Sequence, residues 1–160
     1  MLYSATPIAD VPEFVVQPRG RTALLDATGK FITDIGSELS ALSEEQRPGH
    51  VICLIMTDGM ENASDEWTWG AVQKLTKQQQ DQWIWKFIFI GANMDAIEVG
   101  GRMGFAHGDS ITYDDSDYAS TVGVMRVARE MVRKSRAGED AAFTADDRRA
   151  AMGQPGPSTR

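Results

Sequence analysis

The sequence predicts an α/β fold, a doubly wound and mainly parallel sheet with helices on both faces. The continuously apolar run "VICLIM" at 51–56 is typical of a strand buried on both faces, and "WIWKFIFIG" at 83–91 is interpreted as a second buried strand. Helical patterns alternate with these runs, and such alternation favours parallel strands joined by right-handed crossovers. The 160 residues, of which 42% are hydrophobic, are enough for one domain.

A first helix is predicted within residues 19–42, where apolar residues recur at steps of three and four and so line one helix face. Gly29 and Gly36 disfavour a helix, so their presence suggests close packing against another element. The expected face consists of Leu24, Thr28, Phe31, Ile35, Leu39 and Leu42.

A second helix is predicted over residues 64–80, between the two apolar strands. Ser64 is its expected N-cap, and Asp65 and Glu66 fall in the first turn, where acidic residues are favoured. A short helix is predicted at 93–104, after the second strand. These two segments are the predicted crossovers of the sheet.

The C-terminal part predicts a third strand, a last helix and a flexible tail. The strand is "DSITY" at 109–113, and the helix covers 116–136. Residues 1–136 are therefore the predicted domain, and 137–160, rich in Ala, Gly, Pro and charge without apolar periodicity, are the flexible tail. The last helix is expected to begin at Ser116 or Asp115 and to carry Tyr118, Val122, Met125, Ala128 and Val132 on one side.

Composition and charge exclude several classes of protein. The formal net charge of −7 repels phosphate backbones, so nucleic acid is not an expected partner. No apolar run reaches about 18 residues, and the first residues show no secretory pattern, so neither a membrane span nor a leader is expected. The lone Cys53 is typical of a core residue and excludes a disulfide framework. We therefore expect a cytoplasmic protein.

Oxygen-bearing side chains cluster after the first buried strand, in "TDGMEN" at 57–62. Ligands of such sheets bind at the carboxyl edge, and Asp58 comes directly after the strand, with Gly59 allowing the backbone to turn. Carboxylate and hydroxyl oxygens suit Mg²⁺ or Mn²⁺, so a site for such an ion is one interpretation. The other is a simple turn followed by a solvated loop that contains Glu61 and Asn62.

Together with "PRGRTALLDA" at 18–27, this loop resembles the von Willebrand factor A domain, particularly its compact bacterial and phage-associated branch. "WKFIFIGANMDA" at 85–96 is similar to the next strand and loop of that family. In the family, a divalent ion at the carboxyl edge of the sheet binds a carboxylate of a protein partner. The resemblance implies Thr22 and Asp58 as metal ligands, with Gly59, Glu61, Asn62 and Asn93 around the ion or in its loop.

The family's Asp-x-Ser-x-Ser motif, which supplies further metal ligands, occurs nowhere in this sequence. Its nearest approximation, residues 114–118, follows the last predicted strand. The resemblance therefore implies an N-terminally incomplete domain that lacks about a third of the fold and binds Mg²⁺ or Mn²⁺ weakly. It also implies that "VICLIM" has an unpaired edge, where the chain would self-associate or accept strands from another chain.

The leading hypothesis is a protein-binding module with a partial metal-ion-dependent adhesion site, and not an enzyme. The alternative is a Mg²⁺-dependent phosphoryl-transfer or hydrolytic enzyme, in which Asp58 holds the ion. An acid–base pair of Asp58 and Asp95, across neighbouring strand ends, is the other catalytic arrangement considered. A third hypothesis is an assembly protein that pairs through the exposed sheet edge.

Overall fold

A computed structural model of the chain describes residues 8–11, 13, 20–139 and 141–154. Three short 3-10 turns accompany the helices and strands, and no helix in these ranges is long and apolar enough to span a membrane. In chain order the main elements are α1 (Leu24–Ser40), β1 (Ile52–Thr57), α2 (Trp69–Trp83), β2 (Lys86–Ala92), α3 (Ala96–Arg102), β3 (Ser110–Tyr113), α4 (Tyr118–Arg136) and α5 (Ala145–Ala151).

The strands form one parallel sheet in the order β1-β2-β3, which confirms the predicted α/β class. Met56 of β1 pairs with Ile90 of β2, and Ile90 pairs with Ile111 of β3. Because all three strands run the same way, their carboxyl ends meet at a single edge of the sheet. The loops that follow β1, β2 and β3 therefore lie side by side at that edge.

Helices cover both faces of the sheet, as the sequence predicts. In β2, Phe87 and Phe89 pack towards α1, α2 and α3, while Ile88 and Ile90 pack towards α4 and α5. This alternation places β2 in the centre of the protein with both faces buried, which explains its unbroken apolar sequence.

β1 differs from the prediction, because only one of its faces is buried. Cys53 is buried against the α1 side, whereas Leu54 and Met56 on the other face are 41% and 37% exposed. Within the described residues β2 is the single neighbour of β1, which leaves one edge of β1 unpaired. β1 therefore carries more apolar side chains than the described residues bury.

The outward face of α4 is also more apolar than expected. Tyr118, Val122 and Met125, predicted to share a packed side with Ala128 and Val132, are exposed, whereas Ala128 is buried and Val132 partly so. The buried side packs against the sheet and against α5, which comes so close that a side-chain carbon at Gly123 would overlap the Ala150 carbonyl. The buried α4 residues are Ser120, Gly123, Val124, Val127, Ala128 and Met131.

The prediction that 137–160 is a flexible tail is wrong for residues 141–154. Phe143 is buried and its N–H donates to the carbonyl of Gly108 at 2.7 Å, and α5 follows with Ala151 fully buried. The Arg148 guanidinium donates to the carbonyl of Ser110 at 2.8 Å. Small Ala and Gly residues allow residues 141–154 to pack this closely on the domain. Such residues show no apolar periodicity, so the sequence did not predict the packing. The last residues of the predicted tail, 155–160, lie outside the described ranges.

Two helices begin later than predicted. α2 begins at Trp69, with the Thr68 hydroxyl as its cap, because the amides of the preceding residues donate to a carboxylate of α1. α4 begins at Tyr118, capped by Asp117, whose carboxylate accepts N–H groups of Ala119 and Ser120. Capping residues abound in both loops, so the sequence alone did not single out the correct one.

The two glycines of α1 differ in how closely other residues pack against them. A side-chain carbon at Gly29 would overlap the indole ring of Trp67, so Gly29 permits the predicted close packing. The same carbon at Gly36 would meet nothing within 4 Å, so close packing is the wrong explanation for Gly36.

Replacing these glycines by alanine should therefore change stability in opposite directions. Gly36→Ala should raise the free energy of unfolding by about 0.5–1 kcal/mol, because alanine loses less backbone entropy in a helix. Gly29→Ala should lower it by about 1–3 kcal/mol, because the methyl group must displace a rigid ring. Urea denaturation at one pH measures both changes, and equal effects at the two positions would contradict the packing difference.

Candidate functional site

The segments that contain Thr22 and Asp58 meet at the carboxyl edge of the sheet. The N–H of Thr22 donates to Asn62 Oδ1 at 2.9 Å, and the N–H of Asn62 returns a bond to the Thr22 carbonyl at 3.0 Å. Gly59 lies so close to Thr22 that a side chain at Gly59 would overlap the Thr22 hydroxyl. Thr22 is thus held against the loop that follows β1, although 40 residues separate it from Asn62.

Asp58 is exposed at the tip of this loop. Its position is fixed by Thr57, whose hydroxyl accepts the N–H of Gly59 at 3.1 Å and lies 3.0 Å from the Gly59 carbonyl. Asp58 therefore lies at the surface, in the loop that Thr22 contacts through Gly59 and Asn62.

Glu61 is not a solvated loop residue, because both of its oxygens accept hydrogen bonds from the protein. Oε2 accepts the N–H of Leu25 at 2.9 Å and the hydroxyl of Ser64 at 2.7 Å. Oε1 accepts the N–H groups of Ala63 at 3.0 Å and Ser64 at 2.8 Å. Partial burial opposes ionisation of Glu61, but these donors outweigh it and lower its pKa from 4.5 to about 2.

Asp26, which the sequence did not single out, also accepts backbone amides, from the α1 side of this contact. Its carboxylate accepts the N–H groups of Asp65, Glu66 and Trp67 at 2.8–3.0 Å. The bond from Asp65 is the main reason that the pKa of Asp26 lies below its usual value. These three amides are the ones expected to begin α2, so Asp26 explains why that helix begins later.

Asn93 and Asp115 continue the polar edge beside Asp58. Asn93 follows β2 with a left-handed backbone at φ 52°, and its side-chain amide donates to Asp115 at 2.6 Å. Burial, followed by the charges of Asp115 and Asp58, raises the pKa of Tyr113. The Asn93–Asp115 bond therefore joins the loop after β2 to the loop after β3.

Asp95 has a structural role instead of the acid–base role considered for it. Its carboxylate caps α3 by accepting N–H groups of Ile97 and Glu98 at 3.1 and 2.9 Å. A carboxylate that caps a helix is held in place by those amides. The structure therefore gives no support to an Asp58–Asp95 pair.

The donors at this edge do not fit the divalent ion that the resemblance implies. Among the described residues no group of three or more His, Cys, Asp or Glu side chains could hold a metal ion. Glu61 has both oxygens bonded to amides, which leaves the Asp58 carboxylate and the Thr22 hydroxyl as donors. Mg²⁺ takes six oxygens, so two protein oxygens would leave four positions to water, and these residues by themselves form at most a weak site.

A groove runs from this edge along the unpaired side of β1. It has a volume of about 490 Å³ and is bounded by residues 54–57 of β1 and residues 21–31 of α1 and its preceding turn. We call it the edge groove. Thr28, only 2% exposed, lines it, and the Thr28 hydroxyl has no hydrogen-bond partner among the described residues.

Comparison of the chain with models of protein families, with curated proteins and with solved structures finds no match.

Glu61→Gln should lower the free energy of unfolding at pH 7 by about 1–3 kcal/mol. The substitution replaces a carboxylate oxygen, which accepts backbone N–H groups, by an NH₂ group, which can only donate. Glu66→Gln is the matched control, since Glu66 is an exposed residue of the same loop. Thermal or urea denaturation measures the difference, and an equal loss in both variants would show that charge alone is responsible.

The same variant should also change the acid limb of the stability curve. The pKa of Glu61 is lower in the folded protein, about 2 against 4.5, so its contribution is full above pH 4.5 and is lost as the pH falls towards 2. Denaturation between pH 6 and 2 should therefore show a shallower decline for Glu61→Gln than for the unmodified chain. Parallel curves would mean that Glu61 does not bind its proton differently in the two states.

Proposed function

We propose that the chain is a protein-binding module, of the von Willebrand factor A type, that binds an extended segment of a partner protein along β1. The observation that carries the proposal is the edge groove, which combines an edge of β1 that no described strand pairs with, an apolar surface and a buried hydroxyl without a described partner. Each feature by itself is common in proteins. Their coincidence on one strand favours an extended peptide as the ligand.

The backbone of β1 provides the affinity in this proposal. A strand at the edge of a sheet has a row of N–H and C=O groups that another strand can pair with. Leu54 and Met56 are exposed on one face, and α1 forms a wall on the other. A partner strand with alternating apolar residues would cover both surfaces, because its side chains point to opposite faces in turn.

Thr28 lines the edge groove with its hydroxyl buried, so a bond from this hydroxyl to a ligand requires neighbouring side chains to move. Burying a hydroxyl without a hydrogen bond costs about 1–3 kcal/mol, so a ligand that supplies the bond would recover that free energy. The backbone of an added strand has the required carbonyl and amide groups. Thr28 would therefore contribute to the register at which the partner binds.

The end of the edge groove near the loop after β1 carries charges of both signs. The resemblance implies a partner carboxylate bridged by a metal ion, and the donors present are too few for that bridge. Arg21 lines this end of the edge groove, while Asp58 is exposed in the adjoining loop, so a partner residue there meets charges of both signs. The proposed ligand is thus an extended strand with alternating apolar residues.

Selection of peptides from a random displayed library with the full chain should enrich this pattern. Leu54→Lys places a charge on the strand edge, and Ala27→Arg fills the edge groove, so each should weaken the selected peptides at least tenfold. Ala71→Arg, at an exposed alanine of α2, should leave their affinity unchanged. Fluorescence anisotropy with a labelled peptide measures all three.

Metal ions and turnover separate the alternatives. A chelator should leave peptide binding unchanged if the edge groove is the site, whereas Mg²⁺-dependent binding that Asp58→Ala abolishes would favour the adhesion site instead. Mg²⁺-dependent phosphoester hydrolysis sensitive to the same variant would favour the enzyme. Peptides that bind the groove variants as well as the unmodified chain would refute the proposal.

Thr28→Val tests the buried hydroxyl separately. The change should raise the free energy of unfolding by about 1 kcal/mol, because it removes an unpaired polar group at nearly constant volume. It should also weaken the selected peptides, although the free protein is more stable. Thr76→Val is the matched control, since Thr76 is a second buried threonine without a described partner, and it should affect stability alone.

A further inference from the structure

A second concave site lies at the amino end of the sheet, opposite Asp58. It has a volume of about 410 Å³, within the range of small-molecule sites, and lies between the second half of α1, the turn before β1 and the end of α2. We call it the α1–α2 pocket. Its apolar walls are Ile32, Leu39, Val51, Leu75, Trp83 and Trp85.

Two tryptophans shape this pocket. Trp85 is 6% exposed, whereas Trp83 is 58% exposed. Between them, Ile84 has a left-handed backbone at φ 55°, which is rare for a β-branched residue. This turn ends α2 and lets both indoles line the same pocket. Strained backbone is often found where a ligand site requires a particular geometry.

Gly36 opens the pocket. It faces the space between α1 and α2, and a side-chain carbon there would meet nothing within 4 Å. A glycine inside a helix disfavours that helix, and packing does not explain this one. A ligand in the space next to Gly36 would explain why α1 has a glycine at this position.

Arg47 gives the pocket its charge. It is the one charged side chain among the described residues that line the pocket, in a chain with a net charge of −7. Its Nε donates to the Leu42 carbonyl at 3.1 Å, and its Nη2 donates to the Ser40 carbonyl at 3.2 Å. These bonds orient the guanidinium and use two of its five N–H donors, so others remain for an anion.

We propose that the α1–α2 pocket binds an amphipathic aromatic anion, such as an aromatic carboxylate or sulfonate. The ring system would pack between Trp83 and the apolar wall, where flat aromatic surfaces interact well with indoles. The acid group would pair with Arg47 at the pocket rim. This site is separate from the edge groove and does not depend on the function proposed for it.

The test uses 8-anilinonaphthalene-1-sulfonate, an aromatic anion, and its neutral relative N-phenyl-1-naphthylamine with the full chain. The anionic probe should bind saturably at one site and quench tryptophan fluorescence. Gly36→Leu, which fills the pocket, should weaken it at least tenfold, and Gly36→Ala about two- to threefold. Gly101→Leu is the matched control, because Gly101 also lies in a helix with open space beside it.

Arg47→Gln tests the anion preference. It should weaken the anionic probe at least fivefold and leave the neutral probe unchanged, which also shows that the pocket remains intact. Anionic-probe binding that neither Gly36 variant affects would place the probe elsewhere, for example on Leu54 and Met56, and would overturn the proposal. Equal losses of both probes in Arg47→Gln would likewise overturn it.

Discussion

The arrangement of the carboxyl edge depends on two carboxylates that accept backbone amides. The N-cap of α1 is Ala23, which has no side-chain acceptor, so the first amides of that helix need one from elsewhere. Glu61 provides it for Leu25 from across the sheet edge, while Asp26 in α1 accepts three amides of the loop that leads to α2. These reciprocal bonds position α1 against β1 and therefore form the wall of the edge groove.

This use of carboxylates changes what the edge can bind. A loop with several acids suggests a cation site when only its composition is known. In the folded protein, Glu61 and Asp26 are committed to amides, Asp95 caps a helix, and Asp115 accepts from Asn93. Asp58 remains exposed in the loop beside a groove that is lined mainly by apolar residues and by Arg21. Peptide recognition suits that combination better than metal coordination does.

The carboxyl and amino ends of the sheet present different kinds of surface. At the carboxyl end, β1 leaves an edge and two apolar side chains exposed, and a strand is the natural complement. At the amino end, Gly36, Arg47 and two tryptophans enclose a small pocket. The centre between them, around Phe87 and Ile88, is fully buried and rigid. A ligand at either end therefore binds a surface held by the same core.

The sequence by itself determined the α/β class and the order of α1 to α4 and of the three strands, whereas α5 was not predicted. Long apolar runs and regular spacing carry that information locally. Only the tertiary structure decided the roles of individual side chains: Glu61 and Asp26 bond to residues about 36 to 41 positions away, and Phe143 is buried against β3's side of the sheet. Such partners depend on which segments meet in space, and a carboxylate has the same appearance in sequence whether it binds an amide, an ion or water.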